Sequence, residues 1–418
     1  MRAGCTEYEH YVRNKRNRRT ALKKTVFLSP AGFTCLGVNT GLRLSRPDTG
    51  IIISEKPMTA AGVFSQNLFR SLSLDRSISL IKKPVRVQIV FSGNANACTG
   101  QKAVSAMNII SRTAGTLLNC RPEEILLSFT GVIGRTFPAD AISANLQKIL
   151  SSPPEQIKKQ SAGFPRAIMT TDLSEKISCC RIFRGKHSVV VSGCAKGSGM
   201  IYPNMATMLA YILTDAAVEK KYLDSLVKDI AVSVFNRISV DGDTSTNDSF
   251  LVFANGCSGR PVASYSEKKV FEKALHDTAL QLARAIVADG EGATKFITIC
   301  AEKVSSVKDA EKIVRAIANS SLVKTTIFGA DPNWGRIICA AGNSGAIFNP
   351  AKVSLFLNNR LVFKNLSSVP GALPRVKKSF SGKNIEIRIT INNGRENAHF
   401  FTCDFSYEYI KINADYTT

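Results

Sequence analysis

The chain has 418 residues, of which 44% are hydrophobic, enough for a large buried core, so an intrinsically disordered protein is excluded. Its 55 Lys and Arg residues outnumber 32 Asp and Glu residues, giving a formal charge of +23. That excess suits nucleic acid, an acidic membrane or an anionic substrate as a partner. The basic residues are scattered without aromatic interleaving or a helix-turn-helix pattern, however, so we do not expect nucleic acid to be the ligand.

The N-terminal region and the cysteines indicate where the protein works. The densest basic run, VRNKRNRRTALKK, predicts a solvated or disordered arm over residues 1–24. No apolar run reaches the roughly 18–20 residues of a membrane span, and the first residues lack the apolar core of a secretory signal. The 11 cysteines form no CxxC pair and are expected to be buried free thiols in a reducing compartment. The prediction is a cytoplasmic protein, or one of the mitochondrial matrix in a eukaryote.

Apolar runs and amphipathic segments predict the elements in chain order. Strands are predicted at residues 50–55, 85–93, 124–134 and 187–197. Helices are predicted at about residues 101–118, 138–150, 221–238, 267–288 and 307–322. The C-terminal part alternates polar and apolar residues, as in KVSLFLNNRLVF and NIEIRITINNG, whose NNR and NNG segments are turn signals. Strand blocks with paired helices favour an α+β layered architecture over a regularly alternating parallel sheet.

Several common kinds of site are disfavoured by composition. Only four histidines occur, and none lies in a turn-rich motif, so Ser-His-Asp and Cys-His triads are disfavoured. The stretch DGDTSTNDS resembles a calcium loop, but Thr246 replaces its sharp-turn Gly and Val252 its bidentate Glu. We interpret it as a polar turn or a loop on the substrate side. GCAKGSG lacks the ending of a phosphate-binding loop, and no metal site is predicted.

Five polar, glycine-rich turns remain, most of them directly after an apolar run. They are FSGNANACTG, FTGVIG, KGSGMIYPNMAT, DGEGATK and FGADPNWGR. Loops at the ends of elements are where binding and catalytic groups tend to be held. Together the five turns predict one extended active site assembled from both halves of the chain.

The dipeptide Ala206-Thr207 follows one of these turns and precedes the apolar run MLAYIL. A threonine after alanine is most often a packing residue, but here Gly197 permits backbone conformations closed to other residues and Pro203 fixes φ. A strained peptide beside a hydroxyl suits an N-to-O acyl shift, in which Thr207 Oγ attacks the Ala206 carbonyl and the ester then hydrolyses. The freed α-amino group, with a reference pKa of about 7.7–8.0, can serve as the base for its own hydroxyl without a histidine.

At these residues the chain resembles the ornithine acetyltransferase / glutamate N-acetyltransferase family of arginine biosynthesis. The motifs SGNANACTG, TGVIG, TTD, KGSGMIYPNMATML, GDTSTND, DGEGATK, GADPNWGR and INADYTT occur in the family's order, from about Gly37 to the last residue. The resemblance implies an α+β fold, a layered α/β sandwich of the ornithine acetyltransferase and DmpA-like type. It also implies self-cleavage between Ala206 and Thr207 into two interlocked chains, an α chain of residues 25–206 and a β chain of residues 207–418, typically assembled as α2β2.

The activity that the resemblance implies is acetyl transfer from N2-acetyl-L-ornithine to L-glutamate, which gives L-ornithine and N-acetyl-L-glutamate. Thr207 would be the nucleophile of a ping-pong reaction through an acetyl-Thr intermediate. The partners are small-molecule substrates and the chain's own two fragments, without a membrane. No cofactor is implied, and the use of acetyl-CoA as a second acetyl donor stays open.

Further site residues follow from the motifs. Thr130 and Gly131 match the family's oxyanion pair, which stabilises the tetrahedral intermediate; otherwise they form an ordinary strand-to-turn transition. Lys196 matches a substrate-binding lysine suited to an α-carboxylate, and its alternative is a surface lysine. Glu291 matches a carboxylate suited to an amine of ornithine, and its alternative is a solvated acid at a helix end.

Three more positions match substrate-binding residues of the family. Thr171 of TTD is assigned to the substrate site, with Thr170 as the alternative contact, and Leu173 departs from the threonine of many relatives. Asn413 and Thr418 match the binding residues of the C-terminal tail. The tail is therefore expected to be buried at the site.

Two rival functions come from different classes. Another N-terminal-nucleophile hydrolase, such as an aminopeptidase of similar fold, would pass the acyl group to water. Lys196, Glu291 and the tail motif favour amino-acid substrates and transfer over that hydrolase. A basic nucleic-acid-binding protein would instead show an intact chain and strongly salt-dependent retention on DNA.

Overall fold

The computed structural model describes residues 26–153, 155–157, 161, 163–183, 185, 187–202 and 208–415. The basic arm, Ala206, Thr207 and Thr418 lie outside these described residues. The chain divides into two compact units. We call Thr25–Asn236 with Asp243–Asp289 the N-terminal unit, and Arg237–Gly242 with Gly290–Asp415 the C-terminal unit.

Strands and helices of the described residues are numbered here in chain order. The strands are β1 (Phe33–Val38), β2 (Thr49–Phe64), β3 (Val85–Asn94), β4 (Ile125–Val132), β5 (Lys176–Ile182), β6 (Val189–Lys196), β7 (Leu209–Thr214), β8 (Ile238–Ser239), β9 (Ser249–Ala254), β10 (Phe296–Val304), β11 (Ser354–Leu357), β12 (Arg360–Lys364), β13 (Ser367–Ser368), β14 (Asn384–Thr390) and β15 (Glu396–Cys403). The helices are α1 (Leu72–Leu80), α2 (Gln101–Leu118), α3 (Ala139–Leu150), α4 (Phe164–Ala167), α5 (Lys220–Ser233), α6 (Tyr265–Ala288), α7 (Val307–Ala318), α8 (Ser321–Phe328), α9 (Trp334–Gly342), α10 (Ala372–Phe380) and α11 (Tyr407–Asp415).

The described strands of the N-terminal unit form one sheet in the order β4-β3-β2-β9-β7-β6-β5, with β1 also paired to β2. The long strand β2 connects two halves of this sheet. Its first part pairs with β1 and β3, and its last residues, from Thr59 to Phe64, pair with β9. The pairs β3/β4 and β7/β9 are parallel, and the other neighbours are antiparallel. One strand therefore belongs to both halves of the sheet.

The two halves pack face to face, with helices on their outer sides. Val90 and Leu126 of one half share a hydrophobic core with Tyr211 and Phe253 of the other half. Phe91 and the two neighbours of Leu126 lie one position along their strands and belong to a second core. This second core is formed with α2 and α3. Helix α6 packs on β5 and β6. The unit is thus a helix-sheet-sheet-helix sandwich, which confirms the predicted α+β layered fold.

The C-terminal unit has its own sheet, in the order β13-β12-β11-β14-β10-β15-β8. β10/β14 and β15/β8 are parallel pairs, and α7 packs on β10 and β15. The hairpin from β11 to β12 turns at Asn358 and Asn359, both with positive φ, at 46° and 63°. Two consecutive positive φ angles define the type I′ turn that suits the twist of a hairpin. The turn predicted from the NNR segment is confirmed.

Two predicted helices have different ends in the structure. The predicted helix 307–322 is broken between α7 and α8, because Ser320 starts a new helix by accepting a hydrogen bond from the Val323 N–H. The predicted helix 221–238 ends at Ser233. It ends early because Ile238 belongs to β8 and pairs with Phe401 of β15, a distant contact that periodicity does not show.

The cysteines are free in all ten described positions, but they are not uniformly buried. Cys194, Cys300 and Cys403 are buried, whereas Cys98 and Cys339 are exposed. The expectation of buried thiols is therefore wrong for these last two, since Cys98 lies in a polar turn and Cys339 on an exposed side of α9. No helix among the described residues has the length and apolar character of a membrane span.

Candidate active site

The predicted cleavage dipeptide lies in the connection between β6 and β7, residues 197–208. These strands are antiparallel neighbours, and Lys196 at the end of β6 faces Leu209 at the start of β7. β7 is also paired with β9, and β9 with β2. Two of these pairings, β6/β7 and β2/β9, join a strand before the dipeptide to a strand after it. A break in the connection would therefore leave the sheet's hydrogen bonds in place.

Lys196 and Thr130 lie together at one end of the sandwich. Lys196 ends β6, and only 9% of it is exposed. Its Nζ donates a hydrogen bond to Thr130 Oγ1, at 3.3 Å. Because β4 and β6 belong to opposite halves of the sheet, this contact bridges the two halves. The structure thus brings together two residues that the sequence placed in one site.

Gly131 occupies a position that no other residue fits. Its φ is +129°, and a Cβ at this position would be 2.4 Å from the carbonyl carbon of Gly93. The register between β3 and β4 is irregular at Gly93 and Asn94, opposite this residue. Such irregularities re-aim backbone groups and are frequent beside active sites. The predicted oxyanion pair thus lies where the strand ladder is distorted.

The TTD segment lies against the turn that follows Lys196. The hydroxyls of Thr171 and Ser198 are 2.6 Å apart. The N–H of Gly197 donates to Asp172 Oδ1 at 2.8 Å, and the N–H of Thr170 donates to Asp172 Oδ2 at 2.9 Å. Thr170 is buried against Asp172, whereas Thr171 is partly exposed beside the turn. Thr171 is therefore the more accessible of the two threonines that the sequence offers as a substrate contact.

A buried ionic network holds the TTD segment in place, and the sequence analysis did not predict this network. Lys176 Nζ lies 2.6 Å from Asp172 Oδ1 and 2.6 Å from Asp289 Oδ2, and the Lys176 side chain is 1% exposed. Burial favours a raised pKa for Asp172, but Lys196, Lys176 and the Gly197 N–H outweigh it and hold this pKa well below the ordinary range. Asp172 is therefore an ionised buried carboxylate that joins the TTD segment to the turn after β6.

A second buried carboxyl, Asp248, faces the same lysine. It comes directly before β9, and 5% of it is exposed. Its Oδ2 is enclosed and has no hydrogen-bond partner within the described part of the chain. Burial raises the pKa of Asp248 well above its ordinary value, against the opposing effects of Ser245 and Lys196. The GDTSTND segment, interpreted from sequence as a polar turn, thus ends in a buried acid.

The turn FSGNANACTG contacts this GDTSTND segment. Asn247 Nδ2 donates to the Ala95 carbonyl at 2.6 Å, and Asn94 Oδ1 accepts the Asn96 N–H at 2.7 Å. The segments TTD, KGSG, FTGVIG, GDTSTND and FSGNANACTG are therefore linked by hydrogen bonds within the N-terminal unit. Three of the five polar turns are thus linked to one another in this unit, and the prediction of one site that includes all five stays untested.

The C-terminal unit holds Glu291 and Asn413 in contact. Asn413 Nδ2 donates to Glu291 Oε2 at 3.0 Å, and Glu291 is buried. Gly292, with φ at +66°, lies so close to α11 that a Cβ would be 2.4 Å from the backbone nitrogen of Tyr409. Asp404 accepts the N–H of Thr294 at 2.8 Å. The DGEGATK turn is thus held from both sides by the chain that follows β15.

The burial expected for the C-terminal tail is not found. Helix α11 reaches Asp415, but none of its residues is buried, and Asn413 is exposed. Within its unit the helix contacts the DGEGATK turn through Asn413, and Tyr407 packs on Phe328 of α8 at a centroid distance of 5.4 Å. Thr418 lies outside the described residues.

The FGADPNWGR turn has a structural role in the part of the chain described here. Asn333 caps α9 by accepting the Arg336 N–H, and Trp334 stacks on Phe363 at a centroid distance of 5.1 Å. Lys295 of the DGEGATK segment donates to the Ile327 carbonyl near this turn. The prediction that it contributes a site residue stays untested. Among the described residues no group of three His, Cys, Asp or Glu could hold a metal.

The polar, hydrogen-bonded turns at the strand ends of the layered sandwich are the places where a rigid scaffold holds binding and catalytic groups. Residues 34–418 match the model of the ArgJ family. The chain is 38% identical over 404 residues to "Arginine biosynthesis bifunctional protein ArgJ" of Bacillus licheniformis, covering 95% of this chain and 98% of that protein. It is 40% identical over 394 residues to the Bacillus subtilis protein of the same name, covering 93% and 96%. The chain belongs to the ArgJ family, as the sequence predicted.

A solved structure of a relative also matches. The crystal structure of the arginine biosynthesis bifunctional protein ArgJ from Bacillus halodurans has 34% sequence identity and a TM-score of 0.49, and the match covers 50% of this chain and 100% of that chain.

Proposed function

We propose that this protein transfers the acetyl group of N2-acetyl-L-ornithine to L-glutamate, in arginine biosynthesis. The observation that carries the proposal is the match to ArgJ proteins over nearly their whole length, with the predicted site residues in contact inside each unit. The products are L-ornithine and N-acetyl-L-glutamate. Acetyl-CoA is proposed as a second acetyl donor, on the ground that the relatives are named bifunctional.

The nucleophile in this proposal is Thr207, made N-terminal by self-cleavage after Ala206. Its hydroxyl attacks the acetyl carbonyl, with its own α-amino group as the base, and the acetyl-Thr ester then reacts with the amine of glutamate. The β6/β7 and β2/β9 pairings support this route, because each joins a strand of one fragment to a strand of the other. We also propose that the two fragments remain together as α2β2.

Thr130 and Gly131 stabilise the oxyanion of each tetrahedral intermediate. The Thr130 hydroxyl accepts a hydrogen bond from Lys196 Nζ, which leaves its own proton to donate. The cation next to it also strengthens that donor. Removal of one oxyanion donor typically costs about 2.7–4 kcal/mol of transition-state stabilisation.

The charged residues recognise the amino-acid part of the substrates. Lys196, whose Nζ donates to Thr130, carries an ammonium group of the kind that binds an α-carboxylate. Glu291 pairs with the side-chain amine of ornithine. Asn413 orients the carboxylate of Glu291 through its hydrogen bond. Thr171 contributes a hydroxyl next to Ser198.

The experiment that tests the function is an assay of transfer with both substrates. Purified protein is mixed with N2-acetylornithine and glutamate, and ornithine and N-acetylglutamate are quantified together. Equal amounts of both products are expected. Release of ornithine and acetate without N-acetylglutamate would indicate the rival hydrolase, and no release of ornithine would contradict the proposal. Parallel reactions with acetyl-CoA in place of N2-acetylornithine test the second donor.

A further inference from the structure

The connection between β1 and β2, residues 39–48, plays no part in the acetyl-transfer mechanism described above. Asp48 ends this connection and is completely buried. Its Oδ1 accepts the N–H and the hydroxyl of Thr40, at 2.8 and 2.9 Å. Its Oδ2 accepts three consecutive N–H groups at 3.0, 2.8 and 3.1 Å, those of Gly41, Leu42 and Arg43. One buried carboxylate therefore fixes the backbone of four consecutive residues. We call residues 39–48 the Asp48 loop.

The Asp48 loop holds two arginines against the TTD segment. Arg43 Nη1 donates to the Met169 carbonyl at 2.8 Å, and Arg46 Nη2 donates to the Thr170 carbonyl at 2.6 Å. These carbonyls belong to consecutive peptide groups, and the second peptide group includes the N–H of Thr171. Hydrogen bonds from a charged donor are roughly twice as strong as those between neutral groups. Two guanidinium groups of one loop therefore fix the backbone that leads to Thr171.

Ser92 of β3 joins the Asp48 loop to the chain just before the TTD segment. The Ser92 N–H donates to the Asp48 carbonyl, and the Ser92 hydroxyl donates to the Ala167 carbonyl, both at 2.7 Å. The next residue, Gly93, lies against Arg43, since a Cβ there would be 3.3 Å from Arg43 Nε. Gly93 also faces the predicted oxyanion pair on β4. The Asp48 loop is thus connected to two segments of the candidate site within the N-terminal unit.

The contact of Arg46 is not explained by the stability of the fold alone. Arg46 is exposed, so its side chain adds little to the hydrophobic core. A long side chain also loses conformational entropy when a single contact holds it in one geometry. Its partner, the Thr170 carbonyl, belongs to the peptide group next to the Thr171 side chain. The location of the contact therefore indicates a role at Thr171.

We propose that Arg43 and Arg46 are positioning residues of the substrate site, which hold Thr171 where its hydroxyl meets the amino-acid substrates. This inference rests on the proposed function, because only that proposal makes Thr171 a substrate contact. The Thr171 hydroxyl lies 2.6 Å from that of Ser198, and the two arginines fix the backbone that carries it. Neither arginine needs to touch the substrate for this role.

The test is a double-mutant cycle between Arg46 and Thr171, measured by steady-state kinetics of acetyl transfer. Thr171→Val removes the hydroxyl and should raise KM for N2-acetylornithine and for glutamate by about tenfold, the upper end for one neutral hydrogen bond. Arg46→Met removes the guanidinium group at an exposed position. It should raise both KM values by about three- to tenfold, as is typical of coupled neighbours, with little change in kcat.

The double variant separates action through Thr171 from an independent effect. If Arg46 acts through Thr171, adding Arg46→Met to Thr171→Val should leave KM nearly unchanged, because the group that it positions is already gone. The same three- to tenfold increase in both backgrounds would overturn the inference. Wild-type KM values in Arg46→Met alone would overturn it as well.

Matched variants separate positioning from loss of charge or loss of the fold. Arg112→Met changes an exposed arginine of α2 in the same unit and should have wild-type kinetics; a rise in KM equal to that of Arg46→Met would contradict the inference. Arg46→Lys keeps a cationic donor and should have lower KM values than Arg46→Met, and equal values would contradict a role for the hydrogen bond. If thermal unfolding shows that Arg46→Met is misfolded, Arg46→Gln carries the same prediction.

The same data distinguish failure of the inference from failure of the proposed function. If the wild type and Arg112→Met transfer no acetyl group, the proposed function is wrong, and this inference fails with it. If they transfer acetyl but Thr171→Val has wild-type KM values, Thr171 is not a substrate contact, and the inference is overturned while the activity stands. If Thr171→Val raises KM and Arg46→Met does not, only the inference fails.

Discussion

Lys196 Nζ donates to Thr130 Oγ1 across the two halves of the sandwich, at 3.3 Å. One residue ends a strand of one half and the other lies near the end of a strand of the other half. The contact joins a cation suited to a carboxylate with a hydroxyl suited to an oxyanion. In the proposed mechanism, the group that binds the substrate and the group that stabilises the transition state are therefore adjacent.

Thr130→Val removes the hydroxyl but keeps the side-chain shape. We expect kcat to fall by about 10²–10³-fold, as for loss of one oxyanion donor, with little change in KM. Thr130→Ser keeps the donor and should retain most of the activity. Steady-state kinetics of both variants provide the measurement. A Thr130→Val enzyme with normal kcat would remove this residue from the oxyanion site.

Lys196→Met removes the ammonium group that we assign to the α-carboxylate. A hydrogen bond to a charged group contributes about 1.5–3 kcal/mol, so KM for both amino-acid substrates should rise by about 10- to 100-fold. Lys221→Met, at an exposed position of α5, is the matched control and should behave as the wild type. Unchanged KM values in Lys196→Met would refute the assignment.

Glu291→Gln tests how the two substrates are told apart. Loss of the negative charge should lower kcat/KM for N2-acetylornithine by about tenfold or more, because its amine loses an ionic partner. The side-chain carboxylate of glutamate is repelled by Glu291, so KM for glutamate should stay the same or fall. Glu408→Gln, at an exposed position of α11, is the control. Equal losses for both substrates would contradict this role.

Asp172→Asn should destabilise the fold by about 3–5 kcal/mol at neutral pH, since it breaks a buried ion pair with Lys176. The pKa of Asp172 in the folded protein is held below the ordinary range. Its ionised carboxylate therefore contributes fully to the free energy of unfolding above the unfolded-state pKa, about 3.9, and this contribution is lost as the pH falls from that value through the lower pKa of the folded state. The stability deficit of Asp172→Asn should therefore shrink in acid.

Urea unfolding at pH 7 and at pH 3 measures this dependence. The protein with Asp172 and the Asp172→Asn variant both carry Thr207→Ala, so that a single uncleaved chain is expected to unfold in each case. Asp243→Asn in the same background is the control for loss of an exposed acid. A deficit that is the same at both pH values would show that Asp172 does not act through its charge.

The sequence pattern predicted the bounds of helices whose ends are determined by neighbouring residues in the chain. Helix α2 has the predicted bounds, because its apolar face is regular and Asn119 ends it in the left-handed conformation, at a φ of 49°. The contacts of Lys196 with Thr130 and of Glu291 with Asn413 join residues that the motifs had already assigned to one site. The resemblance to a family thus grouped residues that the structure shows in contact, and periodicity gives no such grouping.

The buried acids were missed for a physical reason. Lys176 and Asp289 are 113 positions apart, and neither sequence neighbourhood shows that their charges are buried together. Asp248 lies in a segment whose composition is typical of an exposed turn. Its burial follows from its place directly before β9 in the middle of the sheet, which only the strand order reveals.

The most direct test of the central claim is the intact mass of the freshly purified wild type and of Thr207→Ala, each with and without N2-acetylornithine. The account predicts two wild-type fragments that meet at Ala206/Thr207, with the second gaining the mass of one acetyl group on addition of N2-acetylornithine. Thr207→Ala should give one full-length species that gains nothing. An uncleaved wild type that still transfers acetyl, or an acetyl group on the first fragment, would contradict Thr207 as the nucleophile.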